Sequence, residues 1–318
     1  MTRNQYGISL GLPLRGLRVV TTAVNVPGPV AAARLSQLGA KVLKIEPPHG
    51  DPLGMHCPSW YKELVKTQQV LRLNLKEAND RYRLDRLLEK SDLLLTSSRP
   101  KALKRLSLGW KELHSKFPKL CQIALVGFSG RKSNVAGHDL TYQAQLGLLD
   151  PPRLPVSLWA DLAGCQCAVV AALSLFRGTH RSRTGRYAEV SIAESLKIFA
   201  APLLYGLTAS RGALGGHLPQ YNLYRSSDGW VAVAALEPHF SAQLKTQLGI
   251  GTLNYKSAAS RFRTRTARYW EKWAFDRDLP IAALPFRRLD HSRRSKARSR
   301  RSADNFAHDL PGDGAIIP

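Results

Sequence analysis

Cysteine is scarce in this sequence, and the few residues present are not paired. The chain has four cysteines in 318 residues, and none belongs to a Cys-x-x-Cys pair. Cys165 and Cys167 lie inside a stretch that is predicted to be one helix. This pattern excludes the usual ligand spacing of a zinc site and the disulfide framework of a small secreted protein. We therefore expect a reducing, cytoplasmic setting and no bound metal.

Long hydrophobic runs are also missing. Residues 1–14 contain no sustained apolar core of the signal-peptide type. We expect no stretch of the chain to approach the length of a transmembrane span. Hydrophobic residues still make up 44% of the sequence, which is enough for a substantial core. The length of 318 residues suggests one large domain or two ordinary ones.

Acidic residues are few. The 23 Asp and Glu face 47 Lys and Arg, which leaves a formal net charge of +24. Such an excess favours a polyanionic partner: a nucleic acid, an anionic membrane surface or a phosphorylated ligand. The basic residues are dense between Arg287 and Arg301, and we predict a disordered Ser/Arg-rich tail over residues 286–318. No helix-turn-helix, zinc-finger or RRM pattern is present, so a nucleic-acid-binding protein is kept only as an alternative.

The sequence contains a repeated alternation of short apolar strands and helices. Strands are predicted at residues 17–20, 41–46, 70–75, 91–96, 120–126 and 187–192, and helices at residues 30–38, 78–90 and from 193 onward. This alternation predicts an α/β fold with an open, doubly wound, Rossmann-like parallel sheet and ligand chemistry near the strand ends. No Gly-x-Gly-x-x-Gly follows the first strand, so a dinucleotide site is not indicated.

A second, smaller α+β domain is predicted after the alternating part. Asp228-Gly229 separates two strand candidates, at residues 221–225 and 230–235, and indicates a β-hairpin. We place the larger domain at residues 1–190 and the smaller one at residues 191–285.

Two short motifs combine acid/base side chains with small residues. The first is Gly137-His138-Asp139-Leu140-Thr141-Tyr142, and the second is Trp159-Ala160-Asp161-Leu162-Ala163-Gly164. The second precedes an apolar run that predicts a buried helix. A carboxyl group at the mouth of such a helix is poorly solvated and can hold an unusual pKa. The alternative is that Asp161 only caps that helix.

These motifs and several other segments resemble the family III CoA-transferases, over roughly residues 14–285. The segments that carry the resemblance are residues 17–20 with 27–29, 38–48 with 50–52, 99–100, 160–164 and 183–186. The resemblance implies the fold of that family and a coenzyme A thioester as substrate, with no tightly bound cofactor. It also implies a homodimer, because the members of the family form interlocked dimers.

The Gly-His-Asp motif with its tyrosine is similar to the racemase branch of this family. That resemblance implies that His138 and Asp161 are acid/base groups on opposite faces of the α-carbon of a 2-methylacyl-CoA, with Glu237 orienting His138 and Asp139 beside Asp161. A weakly acidic thioester α-proton needs a base on one face and an acid on the other. From the residues alone, His138 can also be a capping or buried histidine, and Glu237 a helix-start acid.

The transferase branch implies a different reaction. There Asp161 would attack an acyl-CoA and form an aspartyl anhydride, and CoA would pass to a second carboxylic acid.

The coenzyme-binding residues are predicted from the same resemblance. Arg99 lies in a turn that resembles the family's Arg-Pro turn near the CoA, whereas Gln68-Gln69 replaces a basic pair that helps relatives hold the phosphates. Gly215-Gly216 resembles a mobile glycine loop, although an ordinary turn before the hairpin explains it equally well. The predicted coenzyme-binding set is Lys44, Lys66, Arg72, Arg99, Gly215 and Gly216.

Overall fold

The structure, a computed structural model, describes residues 11–182 and 184–284. It divides into two compact units after Gly206. The strands of the first unit are β1 (Arg18–Thr21), β2 (Lys41–Glu46), β3 (Gln69–Arg72), β4 (Leu93–Thr96), β5 (Cys121–Val126) and β6 (Tyr187–Ser191). Its helices are α1 (Pro27–Gln37), α2 (Pro52–His56), α3 (Pro58–Val65), α4 (Ala78–Glu89), α5 (Pro100–Arg105), α6 (Trp110–Lys116), α7 (Asp139–Gln145), α8 (Trp159–Ser182) and α9 (Ile192–Leu204).

The six strands form one parallel sheet in the order β3-β2-β1-β4-β5-β6. This is the expected doubly wound fold. Strands β4 and β5 are buried along their whole length, as expected where helices cover both faces of a parallel sheet. The strand order changes direction between β1 and β4. In open α/β sheets, the crevice outside the carboxyl ends of the strands at such a point is where ligands bind.

Alternate side chains of the central strands pack into two hydrophobic cores. Val19 and Leu93 belong to the core that contains α1 and α8, whereas Val20 and Leu94 belong to the core on the α4 side. This is the two-residue period of a strand with both faces covered. Helix α1 can close on the end of β1 because Gly28 has no side chain: a Cβ there would lie 2.5 Å from the Cβ of Ala23.

Helix α8 is longer than the apolar run at residues 165–176 from which it was predicted. Its portion Trp159–Gly178 is long and apolar enough, by length and composition, to cross a membrane. The expectation that no stretch approaches such a span was therefore wrong. Helix α8 packs against α1, α7 and α9, so its apolar composition also has a role within the first unit.

The predicted domain boundary after residue 190 lies inside the first unit. The division falls later because α9 packs along α8 and belongs with it. The predicted tail, residues 286–318, lies outside the described residues, as does Arg183 of the segment 183–186.

The second unit is a small α+β structure, as predicted. Its elements are β7 (Tyr221–Arg225), β8 (Trp230–Ala234), α10 (Pro238–Leu248), α11 (Tyr255–Phe262), α12 (Ala267–Phe275) and β9 (Ile281–Ala283). The predicted hairpin is present as the antiparallel pair β7-β8, and β9 adds a third strand to it. Strand β9 was not predicted, because three residues are too few to show a strand period. In the core of this unit, Tyr224 stacks on Phe262, and Phe262 meets Trp270 edge-to-face.

Candidate active site

A cavity of about 210 Å³ opens at the carboxyl ends of β1, β4 and β5. We call it the switch-point cavity. Its lining includes Asn25, Arg99, His138, Tyr142 and Asp161. The fold therefore brings together three residues that were predicted as site residues from distant parts of the chain: Arg99, His138 and Asp161.

His138 stands immediately before helix α7 with an extended backbone. Its backbone N–H donates to Thr141 Oγ1 at 3.1 Å, and its carbonyl oxygen accepts from the Thr141 N–H at 2.8 Å. The helix start is thus tied to the backbone of His138, and the residue itself lines the switch-point cavity. His138 therefore caps α7 through its backbone groups, which leaves the imidazole ring available for an acid/base role.

Tyr142 explains two glycines around the cavity. A Cβ on Gly127 or on Gly137 would overlap the phenol of Tyr142, so both backbones pass directly against its ring. The Phe128 ring packs edge-to-face against the Tyr142 ring, with 5.1 Å between the ring centroids. Burial and the nearby charge of Asp161 raise the pKa of Tyr142. The Gly-His-Asp motif therefore needs its glycine so that its own tyrosine fits.

Asp139 caps helix α8 from another element. Its Oδ1 accepts from the backbone N–H groups of Ala160 at 2.8 Å and Asp161 at 3.1 Å. These are two of the free donors that every helix start presents. Because α8 begins at Trp159, Asp161 lies in its first turn. The alternative that Asp161 itself caps the helix was wrong, since the capping carboxylate is Asp139.

Asp161 has an unusual protonation equilibrium. Burial, and to a smaller extent the charge of Asp139, raise the pKa of Asp161 from 3.8 to about 7. A carboxyl group with such a pKa is present in both protonation states near neutral pH. It can therefore accept or donate a proton there, which is the property that general acid–base catalysis requires.

A basic pocket adjoins the cavity through Arg99. It is lined by Arg99, Lys101, Lys104 and Arg105 together with Ala102 and Asn134. The backbone N–H of Lys101 donates to Asn134 Oδ1 at 3.0 Å, which ties α5 to the loop before α7. Lys101, Lys104 and Arg105 were not predicted as site residues. Their signal was the basic run after the Arg-Pro turn, a pattern that solvated helix faces share.

Lys44 does not present its charge to a ligand. It is fully buried, and its ammonium group donates to Asp51 Oδ2 and to the carbonyl oxygen of Ala23, both at 2.8 Å. Asp51 Oδ1 in turn accepts from the Asn25 backbone N–H at 3.0 Å. Asn25 has φ +65°, in the left-handed region that asparagine tolerates better than most residues. The coenzyme-binding prediction for Lys44 is therefore corrected: the Lys44–Asp51 pair shapes the loop that lines the cavity.

Lys66 and Arg72 lie near β3, and neither lines the switch-point cavity. Lys66 forms an exposed ion pair with Glu63. Arg72 Nε lies 3.9 Å from Glu46 Oε2, and Glu46 borders a second cavity of about 240 Å³ at the ends of β2, β3 and β4. We call this second space the apolar cavity, because most of the residues that line it are apolar. It shares Val24 with the switch-point cavity.

The remaining predicted residues belong to the second unit. Glu237 is exposed and stands at the start of α10, directly before Pro238, and its role in orienting His138 stays a prediction. Gly215 has a local structural reason, because a Cβ there would overlap the Ala209 carbonyl oxygen. Gly216 has φ +103°, which favours glycine. These features support the turn interpretation of the glycine pair.

Metal-ligating side chains do not cluster within the part of the chain that the structure describes. No group of three or more His, Cys, Asp or Glu could hold a metal ion among those residues. The four cysteines are free.

Comparison with known proteins gives a family match over most of the chain. The family model described as CoA-transferase family III matches residues 14–284. The mouse protein named Alpha-methylacyl-CoA racemase is 33% identical over 256 residues, which are 74% of this chain and 65% of that protein. The Succinyl-CoA–D-citramalate CoA-transferase of Chloroflexus aurantiacus is 28% identical over 280 residues, which are 80% of this chain and 69% of that protein.

Solved structures show the same fold. A hypothetical protein from Mycobacterium tuberculosis has a TM-score of 0.75 at 20% identity and covers 97% of this chain and 96% of its own. A CaiB/BaiF family protein from Brucella suis has a TM-score of 0.72 at 20% identity, with 87% and 85% covered. The chain spans 65% of the length of the mouse and human racemases that it matches.

Proposed function

Because the chain belongs to CoA-transferase family III, we propose that it acts on acyl-CoA thioesters and exchanges the α-proton of a 2-methylacyl-CoA. The observation that carries this proposal is the pair His138 and Asp161 on one cavity at the switch point of the sheet. The similarity to proteins named Alpha-methylacyl-CoA racemase supports it.

The chemistry of exchange uses both groups. A base removes the α-proton on one face of the thioester, and an acid returns a proton on the other face. This inverts the configuration at the α-carbon. Imidazole side chains and a carboxyl whose pKa is about 7 can each work in either direction near neutral pH. The enolate oxygen formed between the two steps needs hydrogen-bond donors, and backbone N–H groups at the cavity wall are the natural candidates.

The coenzyme end of the substrate has a matching surface in the same unit. We assign the phosphates of coenzyme A to the basic pocket of Arg99, Lys101, Lys104 and Arg105, since guanidinium and ammonium groups bind phosphate oxygens well. The faces of the flat adenine base can pack against the apolar side chains of the apolar cavity. Phosphates of the substrate also account for a basic protein surface, so a nucleic-acid partner is not needed to explain the charge.

CoA transfer is the second candidate function. The similarity to a protein named Succinyl-CoA–D-citramalate CoA-transferase favours it. In this reaction the ionised Asp161 carboxylate attacks the thioester carbonyl and the CoA thiolate leaves, which gives an acyl-aspartyl anhydride. The CoA thiolate then attacks the aspartyl carbonyl, which releases the first acid and leaves an aspartyl-CoA thioester. A second carboxylate attacks this thioester and forms a new anhydride as the thiolate leaves again. Attack of the thiolate on the new acyl carbonyl finally releases the second acyl-CoA and restores the Asp161 carboxylate. This reaction uses Asp161 but has no need of His138 as a base.

One experiment separates the two reactions. A single epimer of a 2-methylacyl-CoA is incubated with the protein in heavy water, without a carboxylate acceptor. Racemisation incorporates deuterium at the α-carbon and yields both epimers, whereas transfer leaves the thioester unchanged until a free acid is added. His138→Ala should abolish exchange but spare transfer, and Asp161→Asn should abolish both. Absence of exchange and of transfer across several acyl-CoAs would contradict both candidates.

We also propose a cytoplasmic homodimer. Four large apolar side chains on and after α9 are strongly exposed: Ile198 at 73%, Phe199 at 50%, Leu204 at 57% and Tyr205 at 90%. Adjacent exposed apolar residues on this scale indicate a surface that a partner covers, and a second copy of the chain is the occupant that the resemblance implies. Sedimentation of the wild type and of Ile198→Glu tests the proposal. A wild type that sediments as a monomer would contradict it.

A further inference from the structure

Gln143 is a buried polar residue next to the acid/base site. It lies on α7, four residues after Asp139 and therefore on the same face of that helix. Its side chain is fully buried. Its Nε2 donates to Asp139 Oδ2 at 2.5 Å and to the carbonyl oxygen of Ser157, just before α8, at 3.2 Å.

The Asp139 carboxylate is consequently held from two sides. Gln143 donates to one oxygen, and the start of α8 donates to the other through the N–H groups of Ala160 and Asp161. Each of these partners is a donor, so both oxygens of the carboxylate are anchored. Asp139 can therefore serve as a helix cap and as a fixed negative charge beside Asp161.

The oxygen of the Gln143 side-chain amide is in an unfavourable environment. Its Oε1 is buried and has no hydrogen-bond partner in the described part of the chain, and an unpaired buried carbonyl is unfavourable. Gln122 on β5 shares this feature: it is buried, its Oε1 is also unpaired, and its Nε2 donates to the Leu108 carbonyl oxygen at 3.0 Å. Of these two glutamines, Gln143 donates to a carboxylate and Gln122 donates to a backbone carbonyl. Gln122 is therefore a matched control for the replacement of a buried glutamine.

We propose that Gln143 is a positioning residue of the acid/base site, which holds the Asp139 carboxylate against the start of α8 and so sets the protonation of Asp161. Gln143 does not line the switch-point cavity, so it acts through Asp139 and not on the substrate. The structural part of this proposal is independent of the reaction. Its kinetic part rests on the proposed function.

The charged and titratable groups around Asp161 show why Asp139 matters. Asp139 and Tyr142 face it from α7, and His138 and Arg99 share the cavity with it. The charge of Asp139 is one of the two causes that raise the pKa of Asp161, after burial. Without Gln143, the Asp139 carboxylate loses the donor that anchors its Oδ2. Its charge is then no longer held at a fixed place beside Asp161.

A titration tests this without any substrate. Protein labelled with ¹³C at the aspartate side-chain carboxyl carbon is titrated by NMR, and the Asp161 and Asp139 signals are assigned with the variants Asp161→Asn and Asp139→Asn. In the wild type we expect the Asp161 signal to titrate near pH 7. In Gln143→Met we expect the midpoint of the Asp161 titration to shift, because the charge of Asp139 is no longer held in place beside it. Gln122→Met should titrate like the wild type.

Kinetics provide the second readout. Loss of one hydrogen bond to a charged group predicts a fall in kcat for exchange of about 10- to 100-fold in Gln143→Met, with KM for the acyl-CoA nearly unchanged. Gln122→Met should keep the wild-type kcat even if its melting temperature falls. In Gln143→Glu the new carboxyl can donate only when protonated, so its activity relative to the wild type should rise as the pH is lowered. That variant also tests the proposal if Gln143→Met does not fold.

The outcomes distinguish this proposal from the proposed function. Wild-type carboxyl titrations in Gln143→Met, or a fall in kcat that Gln122→Met shows equally, would overturn the positioning role. Altered titrations in Gln143→Met, in a protein that neither exchanges α-protons nor transfers CoA, would support the positioning role and reject the proposed function.

Discussion

Replacement of Asp161 by asparagine should stabilise the protein while it removes the activity. The wild-type carboxyl has its pKa raised from 3.8 to about 7 by burial and by Asp139. Between these two values the folded state binds more protons at this site than the unfolded state. The free energy of unfolding therefore falls as the pH rises through this window. Asparagine has nearly the same shape and carries no charge, so it escapes this cost.

The size of the effect follows from the width of the window. Each pH unit by which the two pKa values differ corresponds to about 1.4 kcal/mol. Asp161→Asn should thus raise the free energy of unfolding by about 2 kcal/mol at pH 5 and by about 4 kcal/mol at pH 8, as upper bounds. Below the unfolded-state pKa of 3.8 the gain should vanish. Turnover should drop at least ~10²-fold at every pH, since asparagine is neither a base nor a nucleophile.

The assay is urea unfolding of the full chain at several pH values, followed by circular dichroism. Asp150→Asn is the matched control, because the Asp150 side chain is 81% exposed and its ion pair with Arg153 spans 3.6 Å. Its effect should stay near zero and independent of pH. A stability gain of Asp161→Asn that does not change with pH would refute the reasoning, since it would locate the gain in packing and not in the carboxyl charge.

Three further predictions concern the surroundings of the site. Lys44→Met should destabilise the protein by about 3–5 kcal/mol, because it leaves the Asp51 carboxylate buried without its partner; a melting temperature like the wild type's would contradict this. Gly137→Ala should lower kcat and cost about 1–3 kcal/mol of stability, since its Cβ would lie 2.5 Å from the Tyr142 ring; unchanged kinetics would mean that the ring moves freely. Lys104→Ala should raise KM for acyl-CoA with little change in kcat, and the difference from the wild type should shrink at high salt; an equal KM at low salt would remove Lys104 from the coenzyme site.

Much of the fold could be read from local patterns in the sequence. The short runs at residues 41–46 and 120–126 predicted strands, and the structure has β2 and β5 there. Asp228-Gly229 indicated the hairpin that β7 and β8 form. The two motifs at residues 137–142 and 159–164 indicated His138 and Asp161 as site residues, and both line one cavity. Period, turn chemistry and motif spacing are properties of neighbouring residues, so the sequence by itself determined them.

Other features depend on which elements meet. Asp139 caps helix α8, which begins 20 residues later at Trp159. Only the docking of α7 on α8 creates that contact. The ammonium of Lys44 is buried because Asp51 and the end of β1 close over it, although an isolated lysine in a strand suggests an exposed charge. The raised pKa of Asp161 combines burial with the charge of Asp139. Both are tertiary effects, because solvent exclusion and distances between charges are set by packing between segments that are far apart in the chain.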